Sequence, residues 1–362
     1  MIDIFPDNVL LEIFDHCRVD EVISSSLLPW KWYRLAHVCR TWRDIIFASS
    51  CRLKLELLCT KGTPIRKDLS HLPALPLVIR FLSGSYDNSD EDNIIAALEH
   101  PNRVHDLKLR VSYSLLGRTA IVTEPFLALT DLCLESETDE PMPGLGETFM
   151  SGNTPHLQRI LLNDIPFPEA PTLLSSACDL VGIDIHNILL PKYGYILPKE
   201  MAASLAALSR LKYLSFGFRR EDSYPRRIWP PFIAPIIRAV LPSLTTFIFD
   251  GLLEYLEEFV AQIDTPQLEC LKVDYLDEHE GFEFQIPQLC KFINRTEIFK
   301  KQQFRSADLC FEDYTVTLEL DEGWMLRISI LEEWISEILG QNFDMFSNVD
   351  RLYIFARFPG VM

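Results

Sequence analysis

The chain has 362 residues, a formal charge of −18 and 48% hydrophobic residues. A chain this long and apolar can bury a substantial core, which excludes a disordered protein, and its acidity excludes nucleic acid as a general partner because phosphates would be repelled. Nine cysteines without a C-x-x-C pair exclude a disulfide framework, and no window is apolar enough for a membrane span, so we expect a protein of the cytoplasm or the nucleus.

The N-terminal segment FPDNVLLEIFDHC predicts an amphipathic helix. Pro6 and Asp7 are typical of a helix start. One helical stripe then comprises Val9, Leu10, Ile13, Phe14 and Cys17. A second stripe predicts a helix over residues 35–47, and it comprises Leu35, Val38, Cys39, Trp42, Ile45 and Ile46. The segment around Trp30–Tyr33 is a candidate for a third helix. Because so small a unit buries little surface by itself, these helices need a further surface to pack against, from the same chain or from another protein.

The region from Lys31 to Lys67 is basic although the protein is acidic. This region contains nine Lys and Arg residues and only two acidic residues, Asp44 and Glu56, which gives a local charge of +7. Such a patch indicates either an acidic partner protein or a solvated helix face.

The next segments predict strands and a helix. CRLKLELLCT alternates between apolar and polar residues, which predicts a strand, and LPALPLVIRF predicts another that its prolines keep short or at an edge. The acidic loop after it suits the start of a helix over NIIAALEH.

A short unit then recurs along the chain. TPHLQRILL, LPSLTTFIF and TPQLECLKV share the pattern P-x-L-x-x-Φ-x-Φ, in which Φ is apolar, and VHDLKL, LTDLCL, LVGIDI, LKYLSF and VDRLYI are looser copies. All but the last begin 23 to 33 residues apart, at Val104, Leu129, Leu157, Leu180, Leu211, Leu244 and Leu268.

Predicted helices precede several copies, over NIIAALEH, MAASLAALSRL, PFIAPIIRAV and YLEEFVAQID. One strand and one helix per unit predict a solenoid, in which stacking joins small sets of apolar side chains into a continuous core. The alternative is an ordinary α/β protein, whose strands also contain L-x-L. Between Asp274 and Asn348 the pattern weakens, and we predict strands over YTVTLEL and WMLRISI and a helix over LEEWISEIL.

The N-terminal residues resemble a known motif. Phe5 and Pro6, then Glu12, Ile13 and Phe14, and then VCRTW at residues 38–42 together resemble the F-box motif, with Phe5 where leucine is usual. The whole chain resembles the fungal F-box proteins with leucine-rich repeats. The expected fold class is therefore α/β: an all-α F-box-like helical unit (1–50), a connecting strand, loop and cap (51–90), and an irregular leucine-rich-repeat-like solenoid (91–362).

This resemblance implies a partner. F-box proteins of this kind bind a Skp-type adaptor, which links them to a cullin and a RING subunit of a ubiquitin ligase, while the other domain holds the substrate. The family's adaptors are acidic, which agrees with the basic patch. By position, the adaptor face or its support comprises Phe5, Pro6, Leu10, Ile13, Val38, Cys39 and Trp42. The alternative is an interaction scaffold whose helices only cap the solenoid and which has no ubiquitin role.

No motif in the sequence nominates a catalytic residue, a metal site or a cofactor, so we expect a non-catalytic substrate receptor that acts through proteins, not nucleic acid or membranes. A Pro-rich loop is a candidate target-binding site, because guanidinium groups can bind a carboxylate or a phosphate in a bidentate manner. Its candidate residues are Arg219, Arg220, Arg226, Arg227 and Trp229. Those arginines alternatively pair with Glu221 and Asp222 in a mobile loop. The concave face of the solenoid is a second candidate, with Lys108, Asp131, Gln158, Thr245 and Lys272.

Overall fold

The computed structural model describes the chain in sections separated by gaps. These sections are residues 5–16, 35–48, 55–59, 65–71, 74–80, 90–119, 124–137, 142, 145, 149–165, 172–188, 197–219, 237–275, 287–296, 307–312, 315–320, 325–331 and 352–357.

Helices and strands alternate through most of these sections. The described helices are α1 (Asp7–His16), α2 (Arg40–Ala48), α3 (Ile65–His71), α4 (Glu91–Leu98), α5 (Tyr113–Thr119), α6 (Thr172–Ser176), α7 (Pro198–Leu205), α8 (Leu253–Gln262) and α9 (Pro287–Arg295). The described strands are β1 (Leu55–Leu58), β2 (Leu77–Arg80), β3 (Val104–Val111), β4 (Asp131–Ser136), β5 (Arg159–Asn163), β6 (Gly182–Ile188), β7 (Tyr213–Phe218), β8 (Ala239–Val240), β9 (Thr246–Gly251), β10 (Ile263–Asp264), β11 (Cys270–Tyr275), β12 (Ala307–Glu312), β13 (Thr315–Leu320), β14 (Met325–Leu331) and β15 (Leu352–Arg357).

Most strands form one sheet whose spatial order largely follows the chain. Within the described residues the order is β1-β2-β3-β4-β5-β6-β7-β9-β11-β14-β13-β12-β15. Every neighbouring pair from β1 to β14 is parallel, whereas β13 is antiparallel to both β14 and β12, and β15 is parallel to β12. β8 and β10 form a separate parallel pair.

The core lies on one face of the sheet, because alternate side chains point to that face. Paired positions place a row of apolar residues across seven strands: Leu107, Leu132, Ile160, Ile183, Leu214, Phe247 and Leu271. All of them are buried. A helix covers this row at β7 and β9, since the Phe259 ring of α8 lies 5.6 Å from the Phe216 ring and 5.7 Å from the Phe247 ring.

Most predicted elements are confirmed. The strands predicted at the repeats are β3, β4, β5, β6, β7, β9, β11 and β15, and the helices predicted over NIIAALEH, MAASLAALSRL and YLEEFVAQID are α4, α7 and α8, with small differences in their ends. The acidic start of α4 is also confirmed, because the Asp90 carboxylate accepts the amides of Asp92 and Asn93 at 2.9 and 3.2 Å. β2 is short as predicted, but it lies inside the sheet.

Other predictions differ from the structure. The predicted helix over residues 35–47 begins only at Arg40, because residues 36–38 form a turn and the Cys39 sulfur accepts the Trp42 amide at 3.4 Å. The predicted helix over residues 231–240 is wrong at its end, where Ala239–Val240 is a strand paired with Ile263–Asp264. Neither α9 nor β12 was expected. The candidate third helix around Trp30–Tyr33 and residues 332–339 of the predicted C-terminal helix lie outside the described residues.

The N-terminal helices continue the core of the sheet. Leu10 and Phe14 of α1 and Ile45 and Ile46 of α2 are buried in the same hydrophobic cluster as the leucines of β1. β1 and β2 in turn belong to the same sheet as β3. The division at residues 50 and 90 stays a prediction.

Candidate functional site

The outer side of the N-terminal helices carries exposed apolar side chains. Phe5 is 50% exposed, Val9 36%, Ile13 43% and Val38 57%. We call these four residues the N-terminal apolar surface. Phe5, Val9 and Ile13 are spaced by four residues, which places them along one side of α1 and its start. Large apolar side chains grouped at a surface are typical of a protein-binding site.

The adjoining side of these helices is packed. Leu10 is 3% exposed and Phe14 is 1% exposed, and the Phe14 ring lies 4.9 Å from the half-buried Trp42 ring. Cys39 is half-buried and accepts the Trp42 amide, so both residues fix the start of α2. The exposed Pro6 begins α1, since its carbonyl accepts the Val9 amide at 3.0 Å.

The predicted adaptor residues therefore divide into two groups. Phe5, Ile13 and Val38 lie on the N-terminal apolar surface with Pro6 beside them, whereas Leu10, Cys39 and Trp42 support it from beneath. Val9 was missed, although its spacing of four residues from both Phe5 and Ile13 was a signal in the sequence.

Residues 2–53 match the family model of the F-box domain. F-box domains in general bind Skp-type adaptors in ubiquitin ligases, so this F-box unit indicates an adaptor-binding role. The match ends before β1 and covers well under half of the chain, so it assigns the F-box unit and leaves the sheet unassigned. Among curated proteins, none matches this sequence.

Part of the basic patch between Lys31 and Lys67 is neutralised within the chain. The guanidinium of Arg66 donates two hydrogen bonds to the Glu99 carboxylate, at 2.5 and 2.6 Å. Arg40 and Lys67 are exposed, and the Arg43 Nε donates to the Ala36 carbonyl at 3.0 Å. The local charge available to an acidic partner is therefore smaller than the residue count indicates.

The predicted arginine loop is described only at its first residue. Arg219 is half-buried, its amide donates to the Ile188 carbonyl, and its Nη1 lies 3.8 Å from Asp164 Oδ1. The remaining predicted members, Arg220, Arg226, Arg227 and Trp229, lie outside the described residues.

The face of the sheet opposite the core is polar. Cross-strand ion pairs run along it: Arg80 Nη1 lies 3.3 Å from Glu56, Arg110 Nε lies 3.5 Å from Glu135, and Arg159 pairs with Asp131. Of the predicted concave-face residues, Lys108 and Gln158 are exposed, whereas Asp131, Thr245 and Lys272 are half-buried. We call this surface the polar face.

His186 lies on the polar face and pairs with a carboxylate. Its Nε2 lies 2.6 Å from Asp184 Oδ1, and this hydrogen bond raises the pKa of the imidazole. Gly217 on the next strand makes room for the ring, because a Cβ at that position would lie 2.7 Å from His186 Nδ1.

Cys59 and Cys290 are poorly suited to nucleophilic chemistry. Burial raises the pKa of the Cys59 thiol to about 12 and that of the Cys290 thiol to about 11, so both stay protonated near neutral pH. Within the described sections, no group of three His, Cys, Asp or Glu side chains has a metal-binding arrangement. None of the helices in those sections has the length and apolar character needed to cross a membrane.

Proposed function

We propose that this chain is the non-catalytic substrate-recognition subunit of a Skp–cullin–F-box type ubiquitin ligase, acting in the cytoplasm or nucleus. The N-terminal apolar surface docks the adaptor, and the rest of the chain binds the target protein. The observation that carries this proposal is that Phe5, Val9, Ile13 and Val38 remain exposed on a unit that matches the F-box domain.

Burial of this surface against another protein is energetically favourable. Complete burial of a Val, Ile or Phe side chain stabilises by about 1.5–3 kcal/mol, so covering the exposed half of one such residue contributes about 1 kcal/mol. Phe5, Val9 and Ile13 are neighbours along α1 and its start, and with Val38 they supply apolar area for the centre of an interface, which polar contacts then surround.

We further propose that the sheet is a leucine-rich-repeat-like solenoid of the kind found in fungal F-box proteins. Its support is the in-register row of buried residues from Leu107 to Leu271 and the order of the parallel strands along the chain. The polar face is the target-binding surface that this arrangement favours, because it presents charged side chains from several strands. The loop that begins at Arg219 is a second candidate.

Co-purification with a Skp-type adaptor tests the docking proposal. Ile13→Asp and Val38→Asp each place a charge on the N-terminal apolar surface, and we expect each to weaken adaptor binding at least about tenfold because the carboxylate would be buried without a partner. Leu127→Asp is the matched control, since Leu127 is 44% exposed and lies outside the F-box unit. Leu10 is unsuitable for this test, because it is buried and an aspartate there would unfold the helices.

A scaffold whose helices only cap the sheet is the second candidate. The shared burial of Phe14, Ile46 and Leu55 favours it, because the helices do extend the core. Retained adaptor binding by a folded Ile13→Asp variant would contradict the docking site, and failure of the unmodified chain to bind any Skp-type adaptor would leave the scaffold as the better account.

A further inference from the structure

A cleft of about 360 Å³ lies where the β8–β10 pair meets the end of α9. Its walls combine two arginines and one carboxylate with small apolar and hydroxyl side chains. The lining residues are Arg238, Val240, Asp264, Thr265, Pro266, Arg295 and Thr296. This cleft is remote in sequence from the F-box unit and has no part in the function proposed above.

Backbone carbonyls at the end of α8 hold both guanidinium groups in place. The Arg295 Nη2 donates to the Ile263 carbonyl at 2.6 Å and also to the Val260 carbonyl, and the Arg238 Nε donates to the Ala261 carbonyl at 3.2 Å. A guanidinium has five N–H donors, so these contacts leave Arg295 Nη1 and Arg238 Nη2 for another acceptor. The two cations are thus oriented before any ligand arrives.

Among the charged side chains of the cleft, guanidinium groups outnumber carboxylates. Asp264 Oδ1 lies 2.6 Å from Arg295 Nε, but Oδ2 lies 3.9 Å from Arg238 Nη1, which is too long for a hydrogen bond. The Asp264 carboxylate is therefore close to both arginines, but it is within hydrogen-bonding distance of Arg295 alone. The negative ends of the α8 and α9 dipoles both lie at the cleft and together offset about one positive charge, so the oriented N–H donors, and not a net positive charge, attract an anion. Burial lowers the pKa of Arg295. The Asp264 carboxylate opposes this shift, whereas the nearby charge of Arg238 adds to it because the two cations repel each other.

We propose that this cleft binds a phosphate group, either as a free phosphate or as a phosphate monoester on a protein side chain. A tetrahedral dianion accepts hydrogen bonds from Arg238 and Arg295 together and relieves their repulsion. Val240, which is 51% exposed and lines the cleft, provides an apolar contact for the group that carries the phosphate. Acidic residues farther away oppose binding only weakly, because salt screens charges beyond about 8–10 Å.

Calorimetric titration of the full chain at constant ionic strength tests this site with orthophosphate and with O-phosphoserine blocked at both ends. Arg238→Gln removes the more exposed guanidinium, and we expect it to weaken orthophosphate binding about tenfold, the effect of losing one charge-assisted hydrogen bond. Asp264→Asn removes the competing carboxylate and should strengthen binding several-fold. Arg118→Gln is the matched control, because that arginine also pairs with carboxylates, is similarly exposed and lies on α5.

The two ligands distinguish the sources of phosphate. Much tighter binding of blocked phosphoserine than of orthophosphate assigns the site to a modified protein, and comparable binding assigns it to small phosphates. The proposal is overturned if orthophosphate does not bind at millimolar concentration, or if Arg238→Gln and Arg118→Gln, both folded by circular dichroism, bind it as the unmodified chain does. Neither result bears on adaptor docking, which is measured separately.

Discussion

At the scale of single residues, two neighbours on α1 have opposite environments. Val9 is 36% exposed and Leu10 is 3% exposed, although both belong to the apolar stripe in the sequence. The sequence predicted the stripe and its helix, because apolar spacing is a local signal. Which edge of a broad stripe faces the core depends on what packs against it, and Leu10 belongs to a hydrophobic cluster that also contains residues distant in the chain. The sequence therefore predicted an apolar stripe, but it could not separate the exposed residues of that stripe from the buried ones.

Glu257 on α8 is a second residue whose role depends on a distant partner. Its carboxylate accepts the backbone amides of Gln288 and Leu289 at 2.7 and 2.9 Å, at the first turn of α9. Burial nevertheless raises its pKa from an ordinary value of 4.5 to about 7, because the amide bonds only partly offset the loss of water. The side chain thus joins two helices while it resists ionisation.

This pKa predicts how stability depends on pH. The folded chain binds more protons at Glu257 than the unfolded chain between pH 4.5 and 7, so this group's contribution to stability falls as pH rises through that window and is constant above it. Relative to the unmodified chain, Glu257→Gln should gain on the order of 1–3 kcal/mol between pH 4.5 and 8. Urea unfolding at both pH values measures the difference. Glu200→Gln, at an exposed position on α7, should show no such gain, and an equal pH dependence in the two variants would contradict the assignment.

At the scale of elements, a glycine at the end of β9 allows two aromatic rings to pack. A Cβ at Gly251 would overlap Phe218 Cδ2 and lie 3.0 Å from Phe249 Cζ. Both rings are buried, so neither can move into solvent.

Alanine at Gly251 should therefore destabilise the protein. We expect Gly251→Ala to lower the free energy of unfolding by about 1–3 kcal/mol through overpacking. Gly117→Ala is the matched control, because no heavy atom lies within 4 Å of the new Cβ and alanine in a helix such as α5 stabilises by about 0.5–1 kcal/mol. Urea unfolding of the two variants should give changes of opposite sign, and a shared sign would count against this packing.

The elements also show what the sequence was able to predict. Strands at the repeats were predictable, because each places its own apolar residues inward at a spacing of two. β8 was not predictable, since its two residues are extended only through pairing with Ile263–Asp264. α9 carried a readable signal that was missed, with Pro287 at its start and the buried Leu289, Phe292 and Ile293 at helical spacing.

At the scale of the whole molecule, the F-box unit and the first strands share one hydrophobic cluster. If the sheet is a stack of units that each contact only their neighbours, a defect at one end should affect nearby strands and not distant ones. The position of Ile46, which is fully buried on α2, allows that idea to be tested.

We expect Ile46→Ala to destabilise locally by about 2–4 kcal/mol, because it leaves a cavity in the shared cluster. Hydrogen exchange measured by mass spectrometry should then be faster in α1, α2 and β1 and unchanged in β9. Faster exchange throughout the sheet would instead indicate one cooperative unit, and a change confined to α2 would indicate that the F-box unit does not support β1.

The antiparallel strand β13 has a consequence for how the chain assembles. Because β12, β13 and β14 form a meander, β14 and not β12 occupies the place beside β11, and Cys270 pairs with Met325. A meander closes short loops and forms quickly, whereas its attachment to β11 must close a loop of more than fifty residues. We therefore expect the β12–β14 meander to fold separately and to pair with β11 last. Mechanical pulling on the C-terminus should detach the meander first.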